Sequence, residues 1–163
     1  MIIRRAEPKD VDQILKLLSQ ISALHADIRP DLFISGSPKY RREEIERKLE
    51  KESELIFVVV EGEKLLAYSF CQIQTPEFPN ISKNRKTFFL DDFCVDGKHR
   101  KQHIGQTLFD FLKNQAKLLG CDDILLHCWA GNEEARRFYE KAGFKTRALT
   151  MEFLLECKEG KTC

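Results

Sequence analysis

The sequence predicts a mixed α/β layer fold in a single domain. Two observations carry this reading. The 163 residues suit one domain and are too few for two full ones. The apolar pattern changes period along the chain in the order β-α-α-β-β-β-α-β-α-β, without internal repeats or low-complexity tracts. Residues 1–156 are assigned to the domain and 157–163 to a C-terminal tail.

Each element has a local reason. Ile2 to Arg5 is short and β-prone. Pro8 then opens a helix whose Val11, Ile14, Leu15, Leu18 and Ile21 form one apolar stripe. His25 to Pro38 reads as irregular, broken by Pro30 and Gly36. A polar helix over Arg41 to Lys51 carries Glu43–Arg47 and Glu44–Lys48 pairs and belongs at the periphery. Leu55 to Val60 and Leu65 to Ile73 flank the turn Glu61-Gly62-Glu63-Lys64 as a hairpin. Thr75 to Lys86 is a loop, and Thr87 to Val95 is a long strand holding two adjacent aspartates. Ile104, Leu108, Phe111, Leu112, Ala116 and Leu119 keep one face of a strong helix that Gly120 ends. Asp123 to Trp129 reads as a strand, Asn132 to Ala142 as a helix, and Phe144 to Leu155 as one or two final strands.

Composition excludes several classes. With 27 Lys+Arg against 26 Asp+Glu the formal net charge is +1, which speaks against a duplex-DNA binder. No nucleic-acid partner is expected. The longest purely apolar run, which includes Phe57 to Val60 and begins at Leu55, is too short to span a membrane, and the N-terminus turns charged within four residues, unlike a secretory signal. The six cysteines, at 71, 94, 121, 128, 157 and 163, form no CxxC pair and no zinc spacing. They read as reduced thiols of a cytoplasmic protein, with Cys163 exposed and incidental; no metal site is expected.

Two segments can carry chemistry. From Val95 to Gly105 a strand ends, a basic loop turns and a helix begins. Free backbone N–H groups, the helix dipole and Lys98, Arg100 and Lys101 there suit a phosphate. A solvated basic turn is the plainer alternative. The spacing is neither a Walker loop nor a dinucleotide fingerprint. In Asn132 to Phe144, Asn132 caps a helix whose inward face is Ala135, Phe138, Tyr139 and Ala142, and Gly143 stops it. Taken alone, Tyr139 is a core aromatic with its hydroxyl at the edge.

Together these segments resemble the GNAT superfamily of acetyl-CoA-dependent N-acetyltransferases. Arg100 to Gly105, RKQHIG, occupies the family's Arg/Gln-x-x-Gly-x-Gly/Ala cofactor loop, with His103 where the first glycine usually stands. Asn132, Ala135, Phe138, Tyr139, Gly143 and Phe144 match its later segment. LDDFCV, Leu90 to Val95, is similar to the family's fourth strand, most closely in the diamine-type acetyltransferases. The resemblance is close from Thr87 to Leu155 and extends elsewhere by element order.

It implies a GNAT-type, mostly antiparallel sheet flanked by helices, with strands 4 and 5 splayed apart. Acetyl-CoA is the implied acyl donor. Phe93, Cys94 and Val95 would pair with its pantetheine. Arg100, Lys101, Gln102, His103, Ile104, Gly105 and Gln106 would hold its pyrophosphate, and Asn132 and Phe138 would touch it from the later helix. Tyr139 would be the acid for the departing thiolate, and Asp91 the base or orienting carboxylate. Asp91 and Asp92 fall on opposite faces of an ideal strand, so one of them should face the cleft unless a bulge intervenes. His25, Arg29 and Trp129 are candidates for the acceptor side, although each suits a surface or packing role. His127 and Cys128 suit the core. Cys94 lacks a nucleophile's local signature. The implied acceptor is a small-molecule or peptide amine, with a lean toward small amines. The rival reading is a non-catalytic acyl-CoA sensor with the same fold. A homodimer is compatible with the resemblance, without an interface signature in the sequence.

Overall fold

The computed structural model describes residues 1–76, 78 and 80–155; the expected tail at 157–163, with Cys157 and Cys163, lies outside them. Among the described residues five strands form one sheet in the order β1-β2-β3-β4-β5. They are β1 (Ile2–Arg5), β2 (Glu54–Glu61), β3 (Lys64–Gln74), β4 (Thr87–Val95) and β5 (Asp123–Leu126). The first four are antiparallel neighbours, and β5 joins β4 in parallel. The helices are α1 (Val11–Ile28), α2 (Arg42–Leu49), α3 (Ile104–Leu118) and α4 (Glu133–Lys141). This is the expected mixed, mostly antiparallel architecture.

The sheet is buried on both faces because β2 and β3 are apolar at consecutive positions rather than alternate ones. Ile56 and Val58 join Val11, Ile14 and Leu18 of α1 and Ile45 of α2 in one cluster. Phe57 and Val59 join Phe88, Ile104, Leu108 and Leu112 on the α3 side. Truncating Leu108, which is fully buried, to alanine should cost about 2–5 kcal/mol. At the N-terminus Arg4 donates to both oxygens of the buried Asp10, at 2.6 and 2.9 Å, tying β1 to the start of α1.

Several elements differ from the sequence expectation. α1 runs on to Ile28, so His25 is helical rather than in irregular chain. β5 ends at Leu126, not Trp129, so His127 and Cys128 are exposed beyond it rather than packed in the core. Residues 144–155 form no strand, and among the described residues the sheet ends at β5. Leu149, Met151 and Phe153 are consequently exposed.

Two features of β4 place the site. Its pairing with β5 covers only Thr87 to Leu90, leaving Asp91 to Val95 without a partner on that side among the described residues. This is the expected splay. Opposite β3, Phe70 meets Asp92 while Cys71 meets Leu90, so Asp91 is the extra residue of a β-bulge.

Candidate active site

The bulge decides where the aspartates go. In a regular strand Phe88, Leu90, Asp92 and Cys94 would share one face. With Asp91 inserted, Phe88 and Leu90 stay on the α3 side while Cys94 joins the α1 side. Asp92 follows Cys94 and accepts from Tyr68 Oη at 2.9 Å. Asp91 turns the same way, accepting from Tyr40 Oη at 2.5 Å and Lys39 Nζ at 2.9 Å. Lys39 Nζ also lies 3.6 Å from Asp92. The opposite-face expectation is thus corrected: both carboxylates lie toward α1 and share one lysine.

Their electrostatics diverge. Burial works to raise the Asp91 pKa, but the hydrogen bonds from Tyr40 and Lys39 outweigh it and hold the group below the usual carboxylate value. Asp92, with its side chain 8% exposed, is pushed up by burial against the pull of Lys39. Burial lowers the neighbouring His25 imidazole, which keeps it neutral near pH 7. Asp92 is therefore the carboxylate more ready to take a proton.

Beside the free half of β4 lies a cleft of about 500 Å³. Phe93, Cys94 and Val95 form one wall, and Asn132, Phe138 and Tyr139 of the α4 region form the other. Arg100, Lys101, His103, Ile104, Gly105 and Gln106 close its polar end. Of the residues expected to hold the cofactor, Gln102 alone does not line it. Ile21 and Leu24 of α1 do line it. Sequence reasoning missed them because their stripe is indistinguishable from ordinary core packing. His99 also lines it, while its Nδ1 lies 3.1 Å from Asp96 Oδ2.

The loop geometry suits an anion. Lys101 and His103 both sit at positive φ, 61° and 60°. Left-handed residues in such a turn aim successive amides into one concavity. The first N–H groups of α3 point out of the same end of the helix without intrahelical acceptors. His103 therefore occupies a left-handed position, which explains why glycine is the easier residue there. Gly105 has a different reason to be small. A Cβ on it would lie 3.4 Å from Val95 Cγ2 and 3.6 Å from Phe138 Cε2, so the start of α3 packs closely between β4 and α4. Arg100 bonds Glu134 across the cleft mouth at 2.8 Å. Asn132 caps α4 by accepting from Ala135 N at 3.2 Å.

Tyr139 stands among aromatics, with ring centroids 5.3 Å from Phe138, 5.5 Å from Phe144 and 6.5 Å from Phe93. Burial, reinforced by Cys128, Asp92 and Cys94, pushes its pKa well up, so the phenol keeps its proton at neutral pH. Burial also pushes the Cys94 thiol up to about 12, which makes it a poor nucleophile. Asp91, Asp92, His25, Arg29 and Trp129 do not line the cleft itself. His25 and Trp129 meet at Phe33, with centroids 5.6 and 5.2 Å away, His25 lying one turn of α1 beyond Ile21. Arg29 is engaged by Asp31 and Glu152 and lies over the Trp129 ring.

The chain is similar to known proteins in sequence and in fold. The model of the acetyltransferase (GNAT) family matches residues 21–144. Glucosamine 6-phosphate N-acetyltransferase of Arabidopsis thaliana is 30% identical over 66 residues, 40% of this chain and 42% of that protein. GCN5-related N-acetyltransferase 6, chloroplastic, of the same plant is 29% identical over 84 residues, 52% of this chain and 27% of that one. The matches thus span less than half of these curated relatives. A crystal structure of a point mutant of the BH1408 protein from Bacillus halodurans superimposes with a TM-score of 0.91 at 29% identity, over 96% of this chain and 100% of that one.

Proposed function

The chain belongs to the acetyltransferase (GNAT) family, and from that premise we propose that it is an N-acetyltransferase. It passes the acetyl group of acetyl-CoA directly to a primary amine while both are bound. The observation that carries this is the unpaired half of β4, Asp91 to Val95, beside a cleft whose far end is the left-handed loop before α3.

An extended pantetheine can add to that strand edge as a peptide would, and the loop amides can take the pyrophosphate. A backbone N–H of Cys94 or Val95 polarises the thioester carbonyl. The amine must attack as a free base. Asp92, directly or through water, takes its proton, with His25 beside it, while Asp91 stays paired with Lys39 and Tyr40. A C–N bond forms and the C–S bond breaks. Tyr139 gives its proton to the leaving thiolate. The acceptor enters past His25, Phe33 and Trp129, where aromatic faces and two carboxylates suit a cationic amine. A small amine fits this reading, as does the amino sugar named for the plant relative.

The test is thiol release from acetyl-CoA over a panel of amines, with native protein and Tyr139→Phe. Turnover should appear with the native protein, and the variant should lose at least tenfold in kcat with CoA affinity kept. CoA binding without release on any amine would favour the sensor reading. Equal turnover by the variant would remove Tyr139 as the acid.

A further inference from the structure

The two carboxylates of the bulge open toward one space, and the chain itself places a cation there. Lys39 Nζ lies 2.9 Å from Asp91 Oδ2, 3.4 Å from the Asp91 carbonyl oxygen and 3.6 Å from Asp92 Oδ2. That lysine belongs to the connection between α1 and α2, not to the sheet. Its neighbour Tyr40 donates to the same Asp91 oxygen, and the Lys39 ammonium stands 5.2 Å from the Tyr40 ring centroid. Tyr40 is held in turn, tilted against Phe70 at 5.2 Å with Lys48 Nζ 4.9 Å from its ring.

The charges facing this space can be counted. Asp91 and Asp92 come from β4, Lys39 and Tyr40 from the α1–α2 connection, His25 from α1 and Tyr68 from β3. Lys48 of α2 is paired with Glu54 of β2 at 3.0 Å, and the two cancel. Burial foremost keeps both tyrosines protonated, and it keeps His25 neutral near pH 7. Two carboxylates less one ammonium leave a single negative charge among the described residues.

We propose that Lys39 is a specificity-determining residue: its ammonium fills the Asp91 seat from within the chain, so the acceptor is a monoamine and terminal diamines are disfavoured. This rests on the reading of Asp92 as the base for the incoming amine. One amine can then come to Asp92 as an ammonium and balance the remaining charge. The second ammonium of a diamine needs a carboxylate too, and Asp91 is the one beside it. Lys39 holds that carboxylate with the advantage of a tether, equivalent to a millimolar local concentration of competing amine. A diamine must displace it or bring a second positive charge against it. Selectivity of this kind comes from a repulsive element built into the site rather than from an added contact.

The test compares native protein, Lys39→Met and Lys39→Arg by thiol release from acetyl-CoA. The acceptors are putrescine and n-pentylamine, which differ by a terminal ammonium in place of a methyl. The native ratio of kcat/KM, diamine over monoamine, should not exceed the factor of two that two equivalent ends supply. Lys39→Met should raise that ratio about tenfold, or about 1.4 kcal/mol of discrimination. Lys39→Arg should keep the native ratio. The ratio cancels any change in Asp92 as a base, since both amines use it. The Lys39 side chain is 42% exposed, so its loss leaves the core intact, and Lys39→Gln should repeat the result. Calorimetric titration of putrescine into each CoA-saturated protein reads the seat without turnover. Tighter binding by Lys39→Met than by native protein is expected. A native preference for the diamine, a ratio unmoved by Lys39→Met, or one raised equally by Lys39→Arg overturns the proposal. If no form releases thiol with either amine, the transfer reading fails and the titration decides alone. Equal putrescine affinity in native protein and Lys39→Met, or binding by neither, overturns the seat.

Discussion

His103 stands at φ 60° and ψ 6°, a left-handed conformation that costs a residue with a Cβ roughly 1–2 kcal/mol. Its side chain makes no capping hydrogen bond at the start of α3, so replacing it removes no bond there. His103→Gly lifts the steric cost, while glycine's freedom in the unfolded chain takes back about 0.5–1 kcal/mol. The net gain is about 0.5–1 kcal/mol. In a chain of this size that raises the melting temperature by about 1–4 °C. His103→Val should move it the other way by at least as much, because a branched Cβ is worse at positive φ. The assay is thermal unfolding of the three proteins, with and without CoA. The amides of the loop are unchanged by either substitution, so the shift that CoA adds to His103→Gly should equal or exceed the native one. A lower melting point for His103→Gly would refute the strain argument. Loss of the CoA shift in the glycine variant would mean that the imidazole itself binds phosphate.

Gly105→Val should overpack against Val95 and Phe138, costing about 1–3 kcal/mol and weakening CoA binding in a calorimetric titration; Gly105→Ala, in near-ordinary contact, should do little of either. Asp92→Asn should lower kcat/KM for the amine by tenfold or more and flatten the pH-rate profile, whereas Asp91→Asn should act mainly through the position of Lys39 and Tyr40; the reverse ranking would return the base to Asp91. Asp10 is held below its ordinary value of 3.8, burial being outweighed by Arg4 and the Glu7 amide. Its stabilisation is therefore present above that value and lost as pH falls through the depressed one. Asp10→Asn should cost about 1–3 kcal/mol at pH 7 in urea unfolding, and the gap to the native protein should narrow toward pH 3.

The elements that were legible in the sequence are those whose partners lie in a regular pattern. β4 begins at Thr87 and ends at Val95 as the apolar run implies, and α3 begins at Ile104 where the stripe does. The loop from Arg100 to Gln106 and the wall at Asn132, Phe138 and Tyr139 were legible through motif spacing, and the structure gathers them around one cleft. The end of α1 was not legible. The stretch from Ser22 to Ile28 mixes His25 and Asp27 with two alanines, and its helical state is secured by α1 packing along the sheet. The extent of β5 was hidden for a similar reason. Its sequence remains strand-like to Trp129, but β4 stops supplying a partner at Leu90. The strands expected within 144–155 have the residue pattern, yet among the described residues none pairs with the edge at β5.

The bulge at Asp91 connects these observations, although no residue type announced it. β5 stays paired up to Leu90–Leu126, and the bulge follows at the next residue of β4. An extra residue increases local twist and bends the strand that carries it. Bent there, β4 keeps its pairing with β3 while its other edge turns away from β5, and the cleft opens from that point. The same residue changes which face the rest of the strand presents. Asp92 and Cys94 turn toward α1, and Phe93 and Val95 turn toward α3 and Tyr139. Beside the strand edge left free there, Asp92 lies buried toward α1 and Phe93 stands opposite Tyr139. Deleting Asp91 should therefore do more than remove a carboxylate. It should restore regular alternation with Asp92 still opposite Phe70 on the α1 side, remove the local bend, and abolish CoA binding as well as turnover. Asp91→Ala, which keeps the bulge, should leave CoA binding intact. Equal CoA affinity in the two variants would show that the bulge does not open the cleft.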